Sequence, residues 1–281
     1  MKSIVDLRFH IINEKYDLIH CHWGYNTIFA YNWKTPIITT YHGSDLQGVV
    51  DKSGNRIMKG YLLVFLSRLS TYISHSNIFV SEKLLRTVPR KNKNMCNTII
   101  PMGYNERIFK PLEKIKSKNK LGLSKSKKYI LFAGNYSQEV KGYPLAQQIM
   151  KILDHTFEII KLNYAPHHLI SNYMNASEVL LMTSYYEGAP VIVKEALACE
   201  LPIVSTDVGD VKKIIKSYSN CFVINNRDPK TFAFFIEKSI KMKFLKTRGN
   251  EVESFSAKKM NNKVYELYHK LCKNDPNYEK Y

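Results

Sequence analysis

Acidic residues are scarce in this sequence: 24 Asp and Glu stand against 42 Lys and Arg over 281 residues, a net charge of +18 with histidines neutral. That imbalance disfavours cationic partners and favours anions, whether nucleic acid, anionic lipid or phosphorylated small molecules. Long apolar runs are missing as well. The longest, such as Tyr61 to Leu66, span six residues, whereas a membrane-spanning helix needs about 20. A signal peptide is not expected, because Asp6 and Arg8 arrive before an apolar segment can form. Cysteines number five, at 21, 96, 199, 221 and 272, with no C-x-x-C pair, which argues against both a disulfide framework and a cysteine zinc site. A reducing cytoplasm is the expected compartment. Neither G-x-x-x-x-G-K-[ST] nor G-x-G-x-x-G occurs, and no internal repeat of fixed period is visible.

What is present is ordinary globular composition, 44% hydrophobic and 23% charged, over a length that suggests about two domains. Apolar runs of four to six residues alternate with helix-period segments, the rhythm of β-α-β units and of a mostly parallel sheet. Strands are expected at 18–21, 37–40, 78–80, 98–100, 129–133, 157–162, 179–182, 203–205 and 221–224. Helices are expected at 56–74, 143–153, 169–175, 190–200 and 229–242. The fold class is α/β. Residues 110–128 carry eight lysines and one glutamate, which reads as a solvated linker or helix, and a linker is placed near 104–112. The first half offers about four strands where a doubly wound nucleotide-binding half-pair shows about six, so an opening segment is expected to be missing.

Three loops follow predicted strands and carry candidate chemistry. In Tyr185-Tyr186-Glu187-Gly188-Ala189-Pro190-Val191, Gly188 permits a tight turn and Pro190 suits the first turn of a helix. The free N–H groups of that helix start, those of Gly188, Ala189 and Val191 on either side of Pro190, form an anion site. Glu187 and Glu195 flank it and can accept hydrogen bonds from hydroxyls, the layout a nucleotide sugar requires. A surface helix whose Glu187 complements the helix dipole fits the same residues. In Gly134 to Gly142, Gly134 lets the backbone approach a ligand and Lys141 offers a cation for a diphosphate. His42, in Tyr41-His42-Gly43-Ser44-Asp45, stands at a strand end where such sheets bind ligands. It equally fits a strand-capping histidine with Asp45 as the N-cap of the next segment. His20 and His22 share a strand face without further ligands, so no metal site is expected. His167-His168 reads as a loop pair, and 56–74 as a core-packed helix with a basic outer rim rather than a membrane-surface helix.

Taken in order, these residues resemble the family 4 glycosyltransferases. The matching segments are Asp17 to Gly24, Thr40 to Leu46, Ile100 to Asn105 with Phe109-Lys110-Pro111, Lys141-Gly142, Tyr173 to Ser177, Glu187 to Cys199 with seven residues between its two glutamates, and Leu201 to Gly209. The resemblance implies a GT-B fold, two Rossmann-like domains facing a cleft, with an incomplete N-terminal domain. The domains would be an acceptor-side part at 1–105, a nucleotide-sugar-binding part at 106–254 and a helix at 255–281 crossing back to the first. It implies a retaining transfer from a nucleotide-diphosphate sugar to a polysaccharide or glycolipid acceptor, with no metal and no other cofactor. Glu187 would contact donor-sugar hydroxyls, Glu195 the ribose, Lys141 the diphosphate, and His42 the donor sugar. The expected partners are the sugar donor, a saccharide or lipid-linked acceptor and, peripherally, the anionic inner face of the membrane, with no nucleic acid. Three departures stand out: Asn135 where the family commonly has arginine, Met102 in place of an asparagine, and the absent opening strand and glycine-rich loop. The last leaves one alternative, an inactive remnant that only binds nucleotide sugar.

Overall fold

The computed structural model describes residues 11, 14–32, 34–48, 58–88, 96–163, 165–242 and 251–273. The chain forms two compact units: residues up to Met102 with those from Met260 onward, and Gly103–Lys259. The sequence reading sets these boundaries at 105/106 and 254/255.

The first unit is built on four parallel strands in the order β1 (Ile19–His22), β2 (Ile37–Tyr41), β3 (Ser76–Phe79) and β4 (Cys96–Ile99). Register runs from Ile19 opposite Ile37 to Phe79 opposite Ile99. Helices α1 (Gly24–Ala30), α2 (Ser44–Gln47), α3 (Met58–Ile73) and α4 (Glu82–Leu85) connect them. Ile38, Ile78 and Ile100 pack with Val264, Leu267, Tyr268 and Leu271 of a C-terminal helix, labelled α11 below (Ala257–Lys273).

The second unit holds five parallel strands in the order β6-β5-β7-β8-β9, namely β5 (Lys128–Phe132), β6 (Phe157–Lys161), β7 (Val179–Met182), β8 (Ile203–Thr206) and β9 (Phe222–Ile224). Both faces are covered over the inner strands, so β5, β7 and β8 are buried almost end to end rather than alternating, whereas edge strand β6 exposes Glu158 and Lys161. Ile130, Phe132, Val179, Leu181 and Val204 face α6 (Tyr143–Met150) and α10 (Pro229–Lys241) through Leu145, Ile149, Phe232 and Ile236. Leu131, Leu180, Met182 and Ile203 face α7 (His167–Ala176), α8 (Val191–Ala198) and α9 (Val211–Ile215) through Met174, Val193, Leu197 and Ile214. Burying each such side chain contributes about 1.5–3 kcal/mol. Because β6 lies on one side of β5 and β7 on the other, the chain reverses direction across the sheet at β5/β7. Ligands in open α/β sheets bind beyond the carboxyl ends of strands at this reversal.

Of the two forms expected for the lysine-rich stretch the structure takes the helix, α5 (Lys114–Lys120), with Lys118 buried rather than solvated, its Nζ donating to the Lys127 carbonyl at 2.7 Å. Three sequence expectations need correction. His167 and His168 begin α7 rather than lying in a loop. Pro190 is the residue before α8, not within it. Helix α3 reverses the expected polarity. Its sheet-facing side carries Ser67, Ser70 and Thr71, all buried, and its outward side carries exposed Tyr61, Leu62, Phe65, Leu69 and Tyr72. Space dictates this at Ser67: a Cβ on Gly24 of α1 would come within 2.7 Å of Ser67 Cβ, leaving no room for a large side chain at that point. Two of the small hydroxyls are satisfied against the helix backbone, Ser70 Oγ donating to the Ser67 carbonyl and Thr71 Oγ1 to that of Arg68, each at 2.7 Å. Arg56, expected at the start of this helix, lies outside the described residues.

Candidate functional site

Two loops leave the carboxyl ends of β5 and β7 side by side. They are tied by the Tyr185 N–H, which donates to the Val140 carbonyl at 2.8 Å, and by Thr183 Oγ1, which donates to the carbonyls of Lys141 at 3.0 Å and Gly142 at 2.9 Å. Glycine is required at two points. Gly142 adopts φ +66°, and a Cβ there would stand 2.2 Å from the Thr183 carbonyl oxygen. At Gly134, φ +122°, a Cβ would stand 2.9 Å from Lys141 Cδ, so its absence lets the lysine stem lie across the loop.

That placement brings Lys141 Nζ to 2.7 Å from Glu187 Oε1, which also accepts from Ser184 Oγ at 2.7 Å. Both side chains of the ion pair are mostly buried, at 22% and 14% exposure. A lysine ammonium has three donors, so among the described residues two on Lys141 remain without a protein acceptor. Just beyond Glu187, the backbone N–H groups of Gly188, Ala189, Val191 and Ile192 have no protein acceptor among the described residues. They are the orphan donors of a helix start, with its partial positive charge. Gly188 does not take a left-handed φ; the positive φ here belongs to Gly209, at +56°.

Glu195 lies just over one turn into α8. Burial pushes its carboxyl up to about 7, and no described residue hydrogen-bonds to it. Its neighbour Lys194 is fully buried, its Nζ 5.0 Å from the Phe255 ring centroid. The second unit therefore brings together Gly134, Lys141, Glu187, Gly188, Ala189, Pro190 and Val191, with Glu195 on the same helix.

Two contributors escaped the sequence reading. Ser184, which holds Glu187, directly follows β7 and could have been found from its position. Arg227 could not, being 44 residues from the carbonyl it binds: its Nη2 donates to the Thr183 carbonyl at 2.9 Å and its guanidinium stacks 3.7 Å over Tyr185. Asn135, where family members have arginine, shapes its loop instead, Oδ1 accepting from the Ser137 N–H at 2.9 Å and from Asn163 Nδ2 at 3.0 Å.

His42 belongs to the first unit, within a separate cluster. Its Nε2 shares a hydrogen bond with His22 Nδ1 at 2.8 Å, and its ring stands 5.1 Å from that of Trp23, which holds φ +62°. Burial, then the neighbouring His22, lowers the His42 pKa. His20 bonds Thr40 Oγ1 at 2.7 Å and the Tyr268 hydroxyl, and burial brings it down to about 4. Asp45 does not cap α2. It reaches back, Oδ1 accepting from Gly43 N at 2.8 Å and Oδ2 from Gly24 N at 3.1 Å. Among the described residues no group of three or more His, Cys, Asp and Glu is arranged to hold a metal ion.

Two units on parallel α/β sheets, the second with a cation, a helix start and flanking carboxylates at its switch point, define a protein of the GT-B class. Comparison narrows the class. Residues 1–105 match the model of Glycosyltransferase Family 4 and residues 157–255 that of Glycosyl transferases group 1; the chain belongs to this family of glycosyltransferases. Among relatives, TuaC of Bacillus subtilis, named for teichuronic acid biosynthesis, is 24% identical over 74% of this chain and 57% of its own length. The N-acetyl-alpha-D-glucosaminyl L-malate synthase of Bacillus anthracis is 21% identical over 94% of this chain and 77% of its own. The chain thus spans little more than half of TuaC. Among solved structures, the sucrose-phosphate synthase of Thermosynechococcus elongatus superimposes with a TM-score of 0.74 at 16% identity, covering 96% of this chain and 77% of that one. Anabaena HepE in complex with UDP and glucose gives 0.70 at 14% identity, over 95% and 80%.

Proposed function

We propose that this chain transfers a sugar from a nucleotide-diphosphate donor to a saccharide or lipid-linked acceptor, with the donor held by the Gly103–Lys259 unit. The observation that carries the reading is the Lys141–Glu187 pair beside the unpartnered N–H groups of α8, with Glu195 half-buried and unpartnered beyond them.

The chemistry follows from charge. Breaking the bond between the anomeric carbon and the diphosphate oxygen leaves negative charge on the departing phosphate. Lys141 and the start of α8 supply positive potential where that charge develops, and such preorganised stabilisation is usually the largest catalytic contribution. A metal ion and other cofactors are not required in this scheme. Glu187, fixed by Lys141 and Ser184, accepts from donor-sugar hydroxyls, and Glu195 accepts from the ribose. His42 and retention of anomeric configuration enter from the family resemblance. HepE, solved in complex with UDP and glucose, supports a uridine nucleotide as the first to try, and the charge of +18 suits an acceptor on anionic lipid.

The test is a thermal-shift and calorimetric screen of the full chain against UDP, GDP, ADP and their sugar conjugates, then donor hydrolysis for each binder. Glu195→Ala is expected to weaken donor binding by about tenfold, the loss of one or two hydrogen bonds to a charged group. Glu187→Ala is expected to abolish transfer and hydrolysis. Equal donor affinity in the wild type and both variants would remove the site assignment.

A further inference from the structure

The outward face of α3 has no place in the sugar-transfer reading. Met58, Tyr61, Leu62, Phe65, Leu69 and Tyr72 follow the spacing of one helical face and are 45–86% exposed. Isolated exposed apolar residues are ordinary, but soluble monomers rarely show contiguous patches above a few hundred Å². Here the large side chains point away from the sheet while serines and a threonine face it, so core packing does not account for them. The helix sequence itself, Met58–Ile73, carries Lys59 and Arg68 and no acidic residue, Asp51 and Glu82 being the nearest on either side in the sequence. Arg68 lies on the helix and is exposed. Tyrosines stand near both ends of the stripe, a residue type suited to the boundary between apolar and polar phases.

We infer that α3 is a docking surface for an anionic lipid bilayer, lying in the interface with Phe65 and Leu69 at the centre of the inserted face. Its 16 residues, about 24 Å of helix, are too few and too polar on the sheet side to cross. Apolar insertion and attraction of basic residues to anionic headgroups act together in such helices. The inference names the surface for the membrane contact of the proposed function and rests on that reading only for the acceptor's location.

The experiment is co-sedimentation of the full chain with vesicles of phosphatidylcholine containing phosphatidylglycerol, against phosphatidylcholine alone, at two salt concentrations. Binding to the anionic vesicles that weakens with salt is expected, with at least about a tenfold loss in Phe65→Asp/Leu69→Asp. Arg68→Glu, which leaves the apolar face intact, should give a smaller loss. Circular dichroism and nucleotide-sugar binding without vesicles should be unchanged in all variants, so failure here is separable from failure of the donor-site reading. Absent binding, equal binding to neutral vesicles, or undiminished binding of the double variant would overturn the inference. So would a homodimer in sedimentation velocity that the double variant dissociates, since the stripe would then be an interface between copies.

Discussion

At the scale of single residues the informative one is Glu195, a carboxyl pushed up to about 7 by burial and given no compensating partner among the described residues. Desolvation disfavours its charged form in the free chain, and two donated hydroxyl hydrogen bonds would favour that form. Binding of a nucleotide ribose should therefore release a proton near neutral pH. Donor affinity should rise between about pH 6 and 8 and level off above. Calorimetry in buffers of different ionisation enthalpy measures the release, and Glu195→Gln should flatten the pH profile. A profile unchanged by that substitution would show that Glu195 does not meet the donor. The position of Glu195 was legible from its spacing to Glu187, whereas its environment was not. Burial is set by Leu197, Val193 and the sheet beneath, which local sequence does not expose. Arg227 was invisible for the same reason: its partners, Thr183 and Tyr185, arrive only when β7 and β9 enter one sheet.

At the scale of elements, α8 matters because its first turn supplies the N–H donors, and what holds it is one apolar face on the sheet. Leu197 is 1% exposed among Val193, Ala196 and Ile203. Leu197→Ala should cost about 2–5 kcal/mol by lost transfer energy and a cavity, read as a lowered denaturant midpoint for the second unit. A loss below about 1 kcal/mol would mean the helix is anchored mainly by its loops. The strands were the most readable elements: all nine described strands overlap their predicted runs, most directly β5 and β7, where a buried parallel strand is a nearly uninterrupted apolar segment. Helices were read less completely. For α5 the lysines left linker and helix both open, and only one of them is buried. For α3 the existence of a helix was plain but its orientation was not, since periodicity marks an apolar face without saying whether that face meets the core. The close approach at Gly24 and Ser67 decides it, and that contact spans more than forty residues of chain.

At the scale of the whole molecule, the division into two compact units gives the donor-site proposal its sharpest consequence. Every group assigned to the diphosphate and ribose, from Gly134 to Glu195, lies within Gly103–Lys259. A ligand that binds only the folded form stabilises what it touches by mass action, and amide exchange resolves such stabilisation unit by unit. A nucleotide diphosphate should therefore slow exchange at the ends of β5 and β7 and in the first turn of α8. In the first unit, β1 through β4 should change little with the nucleotide alone. Lys141→Ala should remove most of the protection, because it deletes the side-chain cation while leaving the backbone donors in place. Retained protection in that variant would shift the anion site to the α8 start alone. Protection centred on the His22–His42 cluster would place the nucleotide in the first unit and overturn the assignment.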